Sequence, residues 1–163
     1  MKVTSFLFSI CIFWVFLISC SAKKNIPRVY DYEGDLTKEQ ILKFDSLFQD
    51  HERKTTNEIV LVTTPDYGDD SNIVSYAINF SNKHGIGKKS INNGVTLVFS
   101  RSKHETRIAT GYGTEKILKD EIAKRIIDSI MIPEFKKASY YKGLWNGSKA
   151  IIEFLERPEN KIK

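Results

Sequence analysis

Glu58-Ile-Val-Leu-Val-Thr-Thr-Pro65 and Gly94-Val-Thr-Leu-Val-Phe-Ser100 are two short runs of mostly β-branched and large apolar residues, and their reading decides the fold. The first reads as a buried strand and the second as another strand of the same sheet. Pro65 closes the first run, because proline has no amide hydrogen to give to a ladder. Thr106-Arg-Ile-Ala-Thr110 reads as a further strand, and the short polar linker Arg101-Ser-Lys-His104 makes it the second arm of a hairpin. A strand buried on two sides requires helices on two sides.

The sequence supplies those helices around the strands. Thr37-Lys-Glu-Gln40 fits a capping box, with Leu36 and Ile41 placed for a hydrophobic staple. Ile41, Phe44, Leu47, Phe48 and His51 then recur at helical spacing, and His51 reads as a half-buried residue at the end of the stripe rather than a ligand. Asp70 or Ser71 is expected to cap a second helix carrying Ile73, Ala77 and Phe80, which stops at Gly85. Residues 85–94 read as a mobile glycine- and asparagine-rich loop. Asp120 opens a third helix that Pro133 ends or kinks, and Ser139 to Leu155 forms the last. Arg28 to Asp35 reads as a loop or short extended piece, and His104 as a solvated turn residue. The order α-β-α-β-β-α-α predicts an α/β fold: a three-layer α/β/α sandwich around a small mixed sheet of three to four strands.

Outside this domain, the N-terminus carries a different signal. Lys2 precedes an uncharged stretch from Ser5 to Ile18, and Leu17-Ile-Ser-Cys20 follows. A basic head, an apolar stretch and a small residue before the cut describe a secretory leader. A spanning helix needs about 20 apolar residues with anchoring flanks, which this stretch lacks; an uncleaved anchor is the competing reading. The last four leader positions resemble the bacterial lipobox, whose cysteine is acylated. Residues 1–19 are therefore expected to be a signal peptide, 20–28 a tether, 29–156 the domain and 157–163 a polar tail. Lipid on Cys20 would hold the domain to the membrane, facing the periplasm. Ser21, rather than an acid, directs the expectation to the outer membrane.

Cleavage leaves 24 of the 25 Lys and Arg against 20 acids. The small excess is thinly spread and makes no nucleic-acid footprint, which would need clustering on one face. Cys11 leaves with the leader and Cys20 carries lipid, so a cysteine nucleophile, a structural disulfide and a thiolate metal site are excluded. A monomer is expected.

Tyr30-Asp-Tyr-Glu-Gly-Asp-Leu36, Gly85-Ile-Gly87, Asn93-Gly-Val95, Gly111-Tyr-Gly-Thr-Glu115, Leu118-Lys-Asp120, Ile132-Pro133, Phe135, Tyr141 and Gly143 fall in one order. That ordered set resembles the TPM domain family, over Val29 to Leu155. Lys116 and Lys119 depart from the family pattern by placing positive charge beside the acids. The resemblance implies an α/β/α fold and a divalent ion, calcium first and magnesium second, held by loop carboxylates. It also implies either an accessory role beside a membrane protein or complex, or an acid phosphatase acting on phosphomonoesters.

From the residues, calcium needs about six to eight oxygen donors, and ligands in open α/β sheets gather past strand ends. Asp31, Asp66, Glu115 and Asp120 are the candidate metal ligands, with Asp69, Asp70, Asn92 and Asn93 in reserve. The alternative is structural: Asp120 and Asp70 cap helices, and Asp66 stabilises a turn. Gly111-Tyr-Gly113 reads as a tight turn with positive φ, whose amides could hold an anion. No P-loop, His-Glu-x-x-His or Gly-x-Ser-x-Gly is present. If phosphate esters are cleaved, the route is metal-assisted, with Asp31 or Asp120 orienting water. A purely protein-binding module is the third class, with Trp145, Tyr140 and Tyr141 as aromatic surface candidates.

Overall fold

The structure, a computed structural model, describes residues 27–162; the leader, Cys20 and most of the tether lie outside the described residues. Four strands form one mixed sheet in the order β1-β2-β3-β4: β1 (Val29–Asp31), β2 (Glu58–Thr63), β3 (Gly94–Ser100) and β4 (Glu105–Thr110). The first three are parallel, and β4 returns antiparallel beside β3 with Phe99 opposite Thr106 and Val95 opposite Thr110. β1 is the short extended piece that Arg28 to Asp35 offered as one of two readings. With only three residues it has no periodicity to read, and pairing with Leu61 to Thr63 is what makes it a strand.

Alternate residues of the sheet feed two hydrophobic clusters. Ile59, Leu61, Val95, Leu97, Phe99 and Ile108 face one side, packed by α1 (Lys38–Thr55) and α6 (Tyr140–Leu155). Val60, Val62 and Val98 face the other, covered by α2 (Ile73–His84) through Ile73, Ala77 and Phe80. This is the expected α/β/α sandwich. Both clusters close within Val29 to Leu155, so the domain carries its own core. No helix among the described residues is long and apolar enough to cross a membrane.

The expected capping box starts α1: Thr37 accepts from the Gln40 amide and the Gln40 side chain accepts from the Thr37 amide. α2 is capped by Asn72, not by Asp70 or Ser71. The Asn72 side chain accepts from the amides of Val74 and Ser75, whereas Asp70 holds Asn79. Between β4 and α6 lie α3 (Tyr112–Glu115), α4 (Asp120–Ile126), a π-helical turn (Ile127–Met131) and α5 (Ile132–Phe135). Pro133 does not end this run; it follows the π-helical turn and sits in the first turn of α5, where proline is favoured. Gly143 and Gly147, four apart on α6, let this run approach closely. A Cβ on Gly143 would meet the Phe135 ring at 2.5 Å, and one on Gly147 the Met131 side chain at 2.6 Å.

His51 is fully buried rather than half-buried, and it ties α1 to the end of α6. Its Nδ1 lies 3.1 Å from Glu156 and its Nε2 lies 3.2 Å from the Thr55 hydroxyl. Burial holds its pKa below the ordinary histidine value, against the opposing pull of Glu156. The unfolded chain therefore binds the proton more readily, and stability should fall as pH drops below about 6.5. The expected outcome is a pH slope of the denaturant midpoint in the acid range that His51→Gln flattens.

Within α1, Phe48 is fully buried while Leu42 is 69% exposed. Phe48→Ala should cost about 3–5 kcal/mol through lost burial and the cavity left behind. Leu42→Ala on the opposite side should stay within about 0.5 kcal/mol. Urea unfolding of the two variants checks the pair.

Candidate functional site

At the amino end of the sheet, where β2 and β3 begin and β4 finishes, the 85–94 loop folds back over the strands. Asn93 organises it. Buried completely, its amide donates to the Thr56 carbonyl at 2.7 Å and to Asn57 at 3.2 Å, and its side-chain oxygen accepts from the Lys88 amide at 2.9 Å. Glu58 accepts from the Gly87 amide at 2.8 Å. The loop is therefore pinned, not open.

The pinned loop runs against Gly111 and Gly113. A Cβ on Gly113 would stand 1.8 Å from the Ile91 carbonyl oxygen, and one on Gly111 would stand 2.4 Å from that of Asn92. Gly111 has φ −70° and Gly113 is not among the residues with positive φ. Close approach of two backbones, rather than a left-handed turn, is the reason for glycine at both positions. The Gly113 amide donates to Asn92 at 3.0 Å and the Gly111 amide to Gly94 at 2.9 Å, which fixes where α3 starts.

This arrangement builds a cavity of about 280 Å³ between α2, the β3–β4 face and the segment 111–120. Glu115 and Asp120 line it together, with Asn82, Asn92, Thr96 and Thr110 around them. Arg107 enters from β4, and its Nη2 donates to Asp120 Oδ1 at 2.9 Å. Asp120 caps no helix through its side chain. The Arg107 Nε is buried and has no hydrogen-bond partner among the described residues. Arg107 was not singled out from the sequence, because a lone arginine on a strand carries no signal until its neighbours are known.

Asp31 and Asp66 lie at the other end of the sheet, Asp31 as the last residue of β1 and Asp66 past the carboxyl end of β2. Both Asp31 oxygens accept backbone amides, from Asp35 and Leu36 at 3.0 Å each, and Thr63 also donates to it. Asp66 accepts from the Gly68 amide at 2.9 Å, which is the expected turn role. The structure thus brings Glu115 and Asp120 together and leaves Asp31 and Asp66 apart from them. The physical reason is the antiparallel return of β4, which carries the chain after Thr110 to the amino end. Among the described residues no three His, Cys, Asp or Glu side chains group to hold a metal ion.

The carboxyl end has its own acids. Glu33 accepts from the amides of Arg101 and Ser102 at 2.8 Å each, and Asp35 pairs with Arg101 Nε at 2.8 Å. Burial first, then the neighbouring Glu33, raises the Asp35 carboxyl above its ordinary range, with Arg101 opposing.

The family model for the TPM domain matches residues 29–154. No curated protein matches the chain. Among solved structures, the N-terminal domain of a protein from P. gingivalis aligns at 28% identity and a TM-score of 0.75, covering 85% of this chain and 87% of that one. The N-terminal domain of a Corynebacterium glutamicum protein aligns at 9% identity and 0.62, with 85% and 86% covered. A protein of the psychrophilic Bizionia argentinensis aligns at 18% and 0.64, with 74% and 81% covered. The latter two are likenesses of fold.

Gly113→Ala should force the 85–94 loop away from α3, at a cost of about 1–3 kcal/mol as for other overpacked sites. Amide shifts of Ile91, Asn92 and Glu115 in the folded variant should move together, while those of α1 stay in place.

Proposed function

The chain belongs to the TPM domain family, and from that premise we propose a membrane-tethered extracytoplasmic domain that binds a divalent cation, calcium foremost, as an accessory to a membrane protein or complex. The observation that carries the cation reading is the shared cavity of Glu115 and Asp120. Its donors are carboxylate, amide and hydroxyl oxygens, the set that hard cations take. Arg107 engages Oδ1 of Asp120, so a cation would use Oδ2 together with Glu115. Two carboxylates and one guanidinium leave a single net negative charge, which favours weak, exchangeable binding. Asp31, with both oxygens already accepting amides, holds its own loop instead. Support for the tether is the leader pattern ending in Leu17-Ile-Ser-Cys20. Labelled palmitate should enter the chain in a bacterial host, and Cys20→Ser should abolish both label and membrane association.

A second reading, a metal-dependent acid phosphatase, is favoured by Arg107. A guanidinium in the same cavity as two carboxylates is suited to a phosphate oxygen. A bound divalent ion there supplies Lewis-acid polarisation of the phosphoryl group. Arg107 would hold a phosphate oxygen, and Glu115 or Asp120 would orient the attacking water.

One titration separates the readings. Calcium and magnesium are added to residues 21–163 while amide shifts are followed, and a generic phosphomonoester is assayed from acid to neutral pH. Shifts centred on Glu115 and Asp120, lost in Glu115→Gln and Asp120→Asn, with no turnover, bear out the cation-binding reading. Turnover that Arg107→Ala reduces about a hundredfold, with the fold intact, moves the function to the phosphatase. Absence of shifts at millimolar calcium removes both.

A further inference from the structure

A second cavity, of about 260 Å³, opens at the far end of the molecule from the Glu115–Asp120 pocket and on the other face of the sheet. Its wall is aromatic and aliphatic. Phe99 of β3 packs against Phe135 at 4.6 Å and Tyr140 at 5.5 Å, and Ile132 completes the surface. Phe135 is seated over Gly143 of α6. Ile132 follows directly on the π-helical turn and Phe135 ends the short helix after it; such turns make up well under 1% of residues and frequently stand beside functional sites.

The rim is cationic. Lys136, exposed, has no ion-pair partner among the described residues, whereas the adjacent Lys137 is held by Glu134. Arg101 gives its Nε to Asp35 and keeps the other guanidinium donors. His104, at the hairpin tip, is exposed. Glu105 is the one acid of the lining; its Oε2 accepts from the Tyr67 hydroxyl at 2.6 Å, and its charge stands against the three basic residues of the rim.

We propose that this cleft is a docking site for an acidic segment of a partner protein, which lays one aromatic side chain against the part-exposed Ile132, Phe135 and Tyr140, over the buried Phe99, while its flanking carboxylates meet Lys136 and Arg101. The volume sets the occupant's size: it lies below the roughly 300 Å³ at which sites for drug-sized ligands begin, so one side chain fills it. The aromatic wall favours an aromatic guest through edge and offset contacts. The basic rim sets the sign of what surrounds that guest. Nothing in this inference depends on the cation site, which lies at the opposite end.

The test uses residues 21–163, whose core closes within the domain, and a fluorescein-labelled peptide Asp-Glu-Phe-Glu-Asp. Anisotropy and amide shifts are followed together. Expected are saturable binding and shifts confined to Phe99, Ile132, Phe135, Lys136 and Tyr140. Exchanging the peptide's phenylalanine for alanine should weaken binding at least tenfold, and Lys136→Glu, a change at an exposed position, about tenfold. No shift at millimolar peptide overturns the proposal, as does equal binding of the alanine peptide or of the Lys136→Glu protein. Binding of 3-phenylpropionate as tight as that of the peptide also overturns it, in favour of a small aromatic acid.

Discussion

Two stretches of backbone pass each other at the amino end of the sheet with no room for a side chain between them. The Ile91 and Asn92 carbonyls occupy the places where side chains on Gly113 and Gly111 would stand. Their position is fixed from below by Asn93, whose side chain joins the 85–94 loop to the α1–β2 connection through Thr56 and Asn57. A buried amide of this kind is stable only when its donors and acceptor are all paired. It therefore locks loop, strand and α3 as one unit. Glu115 and Asp120 face one cavity because that unit holds them there, with Arg107 added from β4.

The mixed character of the sheet divides the polar residues between its two ends. Three parallel strands deliver Asp31, Asp66 and the hairpin to the carboxyl end, while the antiparallel fourth strand sends the next acids to the amino end. The carboxyl-end acids are consumed by structure. Asp31 closes the turn into α1, Glu33 ties that turn to the hairpin, and Asp66 closes the turn after β2. At the amino end, Asp120 pairs with Arg107, and Glu115 has no ion-pair partner among the described residues. Acids that are already satisfied by amides have little to offer a cation, so burial and hydrogen bonding, not residue type, separate the two groups.

Helix packing on the other face follows from two small residues on α6. Gly143 and Gly147 admit Phe135 and Met131, and the run from α4 to α5 widens into a π turn where it meets them. The sequence pattern describes a helix from Asp120 that Pro133 ends or kinks, and the wider π turn comes before that proline, where the run meets α6. The short helix that follows the π turn supplies Ile132 and Phe135 to the wall of the second cavity, which the hairpin residues Arg101, His104, Glu105 and Thr106 face.

The fold class was legible in the sequence because β2, β3, α1 and α2 each carry a period or an end signal that acts over a few residues: Pro65, the Thr37 box, Gly85. The ordered motifs from Tyr30 to Gly143 added the family. What the sequence could not give was which acids meet. Asp31 and Asp120 look alike as residues beside strands and helices, and only the direction of β4 separates them. The role of Gly111 and Gly113 was hidden for a related reason, since a glycine needed for close approach and one needed for positive φ are the same letter. The short-range pattern of side chains set the elements; the long-range pairing of β4 with β3, and the contact of two backbones that it permits, set the site.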